Sequence, residues 1–210
     1  DFCLSRGLGD VYKRQAFDLG LNSGLNVIAY NKLMPNLEKT YGFEVIYDYA
    51  KCEWIEKFIL DGRLNIIPFA LGNEEKVGNF YLNKQLSVCS YCDFSNNNPP
   101  ADMAKWEKIQ INATTMDKFC CNNNIMPDFI EGAEMPALEG GIKTIQECRP
   151  QLAISIYHSN EDFVNIPLYL NKNLKNYHFK LGHYSPWRSE TVLYAIPEEI
   201  KSVSYTHLRA

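Results

Sequence analysis

Short apolar runs alternate with amphipathic stretches along most of this 210-residue chain, which predicts a parallel sheet covered by helices. Residues 16–19 form the first apolar run and end in Gly20-Leu21-Asn22-Ser23-Gly24. A helix is expected over 27–33, closed by Pro35, then a strand over 43–47, a helix over 52–60 with Gly62 at its stop, and a strand over 64–70. The pattern weakens from 77 to 111, where 79–82 and 108–111 suit a small antiparallel insert around the turn-rich segment 95–100. It then resumes. Thr114 or Thr115 caps a helix through Cys121, and 126–130 reads as a strand. A helix follows over 134–147, its first turn accepting Pro136, then a strand over 152–157. Ser159 and Asp162 form a near capping box for a helix through Leu170, and 177–181 with 191–196 make an antiparallel pair.

Composition leaves this α/β reading intact and removes other classes. Apolar residues are 46% and charged residues 22%, ordinary for a globular domain and unlike a disordered or fibrous chain. No run approaches the roughly 18 apolar residues of a membrane helix, so no membrane span is expected. The formal charge of −4 offers no basic field for a phosphate backbone, so no nucleic-acid partner is expected. Seven scattered cysteines make no disulfide framework and point to a reducing, cytoplasmic setting. Cys89-Ser90-Tyr91-Cys92 has zinc spacing but no second pair, so no metal is assigned.

The two ends read differently from the rest. The chain opens on Asp1, and the stretches 6–15 and 203–210 resemble translated adaptor read-through from assembled metagenomes. The expected organisation is therefore a single domain over 16–202, truncated at its start, with 1–15 and 203–210 foreign to it. Setting those ends aside removes four bases and two acids and takes the charge to −6.

Ligands of open α/β sheets sit at the carboxyl ends of the strands, so the residues that follow each strand carry the chemistry. Asp18 and the glycine turn follow the first strand, where the backbone can approach a ligand closely and a helix N-terminus offers free N–H groups. Asp48 follows the second, where a carboxylate can accept both hydroxyls of a ribose. A nucleoside-bearing cofactor suits both. Val27 stands where a dinucleotide fingerprint wants a small residue, and no P-loop lysine is present. His158, directly after the strand predicted to end at Tyr157, suits a general base, neutral imidazole being available near pH 7; packing alone also accounts for a lone histidine. Glu131 and Glu134 either meet cofactor or substrate at a strand end or simply complement a helix dipole. His183 and Trp187 could meet a sugar face or pack locally.

The blocks 18–24 (DLGLNSG), 68–72 (PFALG), 115–119 (TMDKF) and 131–134 (EGAE) with Ala137-Leu138 resemble, in order and rough spacing, the FkbM family of S-adenosylmethionine-dependent methyltransferases; the likeness continues through 150–158 and 190–197. That resemblance implies an α/β, Rossmann-like class I methyltransferase sandwich with a mostly parallel seven-stranded sheet, the last strand antiparallel. It implies S-adenosylmethionine as cofactor, with Gly20, Asn22 and Gly24, behind Asp18, on its methionine side, Asp48 on its ribose, and Ala70 and Leu71 near its adenine. It also favours a functional role for Glu131 beside His158. The acceptor implied is a small molecule or glycan, reached by O-methylation of a sugar or natural-product hydroxyl. One departure stands out. The family writes its fourth strand Asp-x-Ile-Lys-x-Asp-Ile-Glu-Gly-x-Glu, whereas here Asp128-Phe129-Ile130 runs straight into Glu131, four residues short. Weakened cofactor binding by this chain is the expected consequence.

Overall fold

The computed structural model describes residues 14–34, 36–46, 53–85, 90–93, 99–186 and 190–200. Its first half alternates as the apolar runs require: β1 (Arg14–Leu19), α1 (Leu25–Leu33), β2 (Leu37–Phe43), α2 (Glu53–Leu60) and β3 (Leu64–Ile67). Four short strands follow, β4 (Ala70–Leu71), β5 (Lys76–Asn83), β6 (Tyr91–Asp93) and β7 (Trp106–Thr114). The second half is α3 (Met116–Asn123), β8 (Phe129–Glu131), α4 (Met135–Glu139), α5 (Ile142–Cys148), β9 (Gln151–Ser155), α6 (Asn160–Asn173), β10 (Tyr177–His183) and β11 (Thr191–Pro197).

Seven strands build the main sheet in the order β10-β11-β9-β8-β1-β2-β3. Neighbours from β9 to β3 run parallel, and β11 is antiparallel to both β9 and β10. This is the Rossmann-like sheet expected, with its last strand reversed. Side chains alternate between two covered faces. Phe17, Ile130, Leu152 and Ile154 join α3, α4, α5 and α6 in the larger core, while Ala16, Phe129 and Ala153 pack with Tyr30 of α1. Each fully buried isoleucine or leucine there contributes roughly 1.5–3 kcal/mol. At the heart of the larger core, Phe17, Tyr41, Phe43, Phe69 and Phe119 meet edge to face at centroid separations from 5.1 to 6.2 Å. Edge-to-face aromatics favour one arrangement over others, which makes this a stiff floor beneath the sheet's carboxyl end.

Four boundaries differ from those the sequence predicts. The second strand is Leu37–Phe43 rather than 43–47. Lying between β1 and β3, it buries residues 40–43, while Glu38 and Lys39 reach the sheet's amino-end rim. Gly42 is tolerated inside it because Leu21 fills the space above; a Cβ there would come within 2.8 Å of that side chain. The third strand stops at Ile67 because Pro68 has no N–H for the ladder, and the chain then leaves the main sheet. Ala70 and Leu71 pair instead with Ala113 and Thr114 of β7, in a separate sheet ordered β4-β7-β5-β6. The predicted helix over 134–147 is two, α4 and α5, parted at Gly140-Gly141. A Cβ on Gly140 would fall 2.0 Å from the Gly72 carbonyl oxygen, so the break is also where the two sheets come closest.

The caps are as predicted: Thr115 Oγ1 accepts from the Lys118 N–H at 3.1 Å, and Ser159 Oγ from the Asp162 N–H at 2.9 Å. The fourth strand, β8, has three paired residues, bonded to β1 on one side and β9 on the other. Among the described residues no helix is long and apolar enough to cross a membrane.

Candidate active site

The turn after β1 is shaped by its sequence. Gly20, Asn22 and Gly24 all have positive φ, 94°, 46° and 68°. Asparagine and glycine adopt that region most readily, so the loop folds back within five residues to open α1. The Gly20 and Leu21 N–H groups donate to the Phe43 carbonyl at 3.0 and 3.2 Å, which ties the turn to the end of β2. At Gly24 a Cβ would come 2.3 Å from Ile55 Cδ1, so α2 presses directly on the helix start. At Gly20 a Cβ would meet nothing within 4 Å. That open space faces a cleft.

The cleft measures about 340 Å³ and lies between the carboxyl end of the main sheet and the small sheet. Leu19, Gly20 and Asn22 line it from the turn, Phe43 and Glu44 from the end of β2, Phe69, Ala70 and Leu71 from the exit of β3, and Gly132 and Glu134 from the connection after β8. Phe80, Leu82, Tyr91 and Cys92 close it from the small sheet.

Two carboxylates line the cleft, and they are differently engaged. Glu44 Oε2 accepts from the Asn22 N–H at 3.0 Å and its Oε1 from the Ile46 N–H at 3.1 Å, so it braces the glycine turn from the neighbouring strand. Glu134 is bonded to His158, Nδ1 to Oε1 at 3.3 Å. That bond holds the His158 imidazole above its ordinary pKa, against the opposing effect of burial.

The predicted residues divide between this cleft and its surroundings. Gly20, Asn22, Ala70 and Leu71 line it. Gly24 stands behind the turn against Ile55. Asp48 lies outside the described residues; the residue that β2 delivers to the cleft is Glu44. Asp18 is wholly buried on the α1 side of the sheet, opposite Glu131 of β8. Neither oxygen of Asp18 finds a donor, and burial, reinforced by the Glu131 and Glu44 charges, pushes its carboxyl well above the usual range. Glu131 takes a bond from Asn26 Nδ2 at 3.4 Å and borders a separate small cavity with Tyr30 and Tyr194. His158 follows β9 by three residues and meets the cleft through Glu134. His183 bonds Thr191 within the last hairpin, and Trp187 lies outside the described residues.

Sequence reasoning missed Glu44, Phe43 and Phe69, and the whole wall from the small sheet. The one available signal was Glu44 itself, an acid closing an apolar strand, hidden because Gly42 reads as a strand breaker. No three His, Cys, Asp or Glu side chains among the described residues converge as a metal site. Burial pushes the Cys120 thiol up to about 12, which leaves it inert as a nucleophile near neutrality.

The residues present fit a nucleoside cofactor. Gly20 leaves open exactly the space a side chain would fill, Glu44 offers a carboxylate where ribose hydroxyls need an acceptor, and Phe69, Ala70 and Leu71 give an apolar seat for a base. A cleft of this size also lies at the lower end of ordinary small-molecule sites.

Comparison with known proteins agrees with the geometry. The sequence profile of the methyltransferase FkbM domain matches residues 18–181. Among solved structures, the methyltransferase FkbM from Methylobacillus flagellatus KT superimposes with a TM-score of 0.63 at 20% identity, over 91% of this chain and 46% of that one. The chain thus spans about half that protein's length. A human methyltransferase 10 domain containing protein gives 0.45 at 10% identity, over 90% of this chain and 74% of that one. The N-terminal domain of human METTL16 gives 0.46 at 10%, over 91% and 64%. No curated protein matches. With four-fifths of the chain under one profile and the sheet in the matching order, the chain belongs to the FkbM family of S-adenosylmethionine-dependent methyltransferases.

Proposed function

We propose that this chain transfers a methyl group to a hydroxyl of a sugar or natural product in the bacterial cytoplasm. The observation that carries the reading is the cleft itself, which joins a cofactor cradle at the ends of β1, β2 and β3 to a wall of uncharged side chains on the small sheet. When bound, S-adenosylmethionine supplies a methyl group already activated by its sulfonium charge, so the protein's work is alignment and exclusion of water. Gly20 and Asn22 shape the turn that receives the methionine end. Glu44, braced by two backbone N–H groups, accepts from the ribose. Phe69, Ala70 and Leu71 bury the adenine. Phe80, Leu82 and Tyr91 offer apolar surface to an acceptor, suited to the C–H face of a sugar ring or to a polyketide-type skeleton, and keep water from the reacting centre. A glycan of the bacterial cell surface is the preferred acceptor class.

A thermal-shift comparison tests the cofactor. S-adenosylhomocysteine is expected to raise the melting temperature and NAD to leave it unchanged; the reverse order would convert the reading to a nicotinamide-dependent oxidoreductase. The three residues of β8 favour a second reading, a methyltransferase-fold binding protein with impaired turnover. A methylation assay on this chain, and on one with the four-residue Lys-x-Asp-Ile insertion after Ile130, separates the two. Equal turnover by both supports the enzyme; activity only after insertion supports the binding protein.

A further inference from the structure

We propose that Glu134 is the catalytic base that takes the acceptor's proton, and that His158 is the positioning residue that holds it. The inference rests on the methyl-transfer reading above and goes beyond it by assigning the proton.

Three observations converge. First, Glu134 lines the cleft, whereas Glu131 and His158 do not. Glu131 points to the opposite side of the sheet, because it alternates with Ile130, which lies in the larger core. Second, the other carboxylate of the cleft is already committed: each Glu44 oxygen accepts a backbone N–H. Third, Glu134 occupies the N-cap position of α4 with extended backbone and makes no side-chain cap bond. Its carboxylate is therefore not spent on the helix, and with 63% of the side chain exposed it reaches the open side of the cleft. The single bond given to it, from His158 Nδ1, fixes one oxygen and leaves the other for a hydroxyl.

The surroundings of His158 keep it on this task. Its ring meets the Tyr157 ring edge on, with centroids 4.5 Å apart, and the charges that bear on it are Glu134, Asp162 and Glu131, all acidic. They favour imidazolium, which pairs with Glu134 and holds the carboxylate ionised and oriented. In the transfer step the acceptor oxygen bonds the methyl carbon as the carbon–sulfur pair returns to sulfur, leaving a neutral thioether. The hydroxyl proton passes to the free oxygen of Glu134. Glu134 and His158 are both partly exposed, so that proton then leaves to solvent.

The test needs no acceptor. Sinefungin carries an amine where the transferable methyl stands, and S-adenosylhomocysteine carries nothing there. Calorimetry on the full chain is expected to show a preference for sinefungin. Glu134→Gln should lower the sinefungin-to-S-adenosylhomocysteine affinity ratio by at least about fivefold, the value of one partly exposed charge pair. His158→Asn should lower the ratio by a smaller factor, since the carboxylate remains. Independently, the His158 imidazole followed by NMR should titrate at lower pH in Glu134→Gln than in wild type. An unchanged ratio in Glu134→Gln overturns the assignment of the base while leaving the methyl-transfer reading standing. An unchanged His158 titration overturns the positioning role. If wild type binds neither ligand, the methyl-transfer reading falls and the proposal falls with it.

Discussion

Asp18 of β1 and Glu131 of β8 face each other in register across two parallel strands, two carboxyls on the same side of the sheet with no base between them. Asp18 is 0% exposed, and neither of its oxygens finds a donor. Two like charges at this depth cannot both be carried cheaply, so the pair is stable when Asp18 keeps its proton. Its position under the glycine turn makes this a property of the cofactor cradle and not of the reacting end of the cleft.

That relationship sets a pH dependence. Burial, with Glu131 opposite, raises the Asp18 pKa in the folded chain, so the folded state binds a proton that the unfolded chain releases. The stabilisation is complete below the ordinary aspartate range and is lost as pH rises through the raised folded value, at a limiting slope of about 1.4 kcal/mol per pH unit. Asp18→Asn removes this loss and gives Glu131 an amide donor. Urea unfolding should find the variant more stable than wild type at pH 8, with the gap narrowing toward pH 5. Equal pH slopes in the two proteins would contradict a protonated Asp18.

Glu44 should behave as a brace and a ligand at once. Glu44→Ala leaves the Asn22 and Ile46 N–H groups without their acceptor and removes the carboxylate from the ribose side. Hydrogen bonds to charged groups contribute about 1.5–3 kcal/mol, so S-adenosylhomocysteine affinity should fall by roughly tenfold or more in calorimetry. Asp48→Ala provides the comparison at the acid first expected to hold the ribose, and a larger loss there would return that role to Asp48.

Alanine at the two glycines of the turn should separate stability from binding. Gly24→Ala strains a residue at φ 68° and drives a methyl into Ile55, with an expected cost of about 2–3 kcal/mol in chemical denaturation. Gly20→Ala carries the backbone strain alone, about 1 kcal/mol, because its Cβ would meet nothing. Its methyl projects into the cleft, so cofactor affinity is the property it should lose. Equal stability losses at both positions would show that Ile55 does not press on the turn.

Arg149 ties α5 to the far edge of the sheet. Its guanidinium bonds Glu199 through Nε and Nη2, bonds the Lys175 and Asn176 carbonyls, and lies over the Tyr177 ring at 4.9 Å. Lysine can neither fork onto a carboxylate nor reach both carbonyls. Arg149→Lys should cost about 1–2 kcal/mol of stability in thermal or urea unfolding with cofactor affinity unchanged. A neutral result would mean that the pair is no better than an ordinary surface ion pair.

Local physics was legible along the chain because it depends on neighbours in sequence. The alternation of apolar runs, the Thr115 and Ser159 caps, the final hairpin and the positive-φ turn at Gly20 to Gly24 all follow from residue type and period. So did the shortness of the fourth strand, since three residues cannot pair as seven. Burial by distant partners was not legible. Gly42 reads as a breaker until Leu21 is seen to cover it, and only then does Glu44, not Asp48, become the acid at the end of β2. Alternation placed Glu131 and Ile130 on opposite faces, but which face carries the cleft depended on the small sheet folding over one side. Proximity of Glu134 to His158, 24 residues apart, arises from β8 and β9 lying side by side. By itself the sequence determined the family, the order of elements and the cofactor turn, because these are written in period and local conformation. The tertiary structure decided which carboxylates share the cleft, because burial and opposition across a sheet are properties of strands brought together from far along the chain.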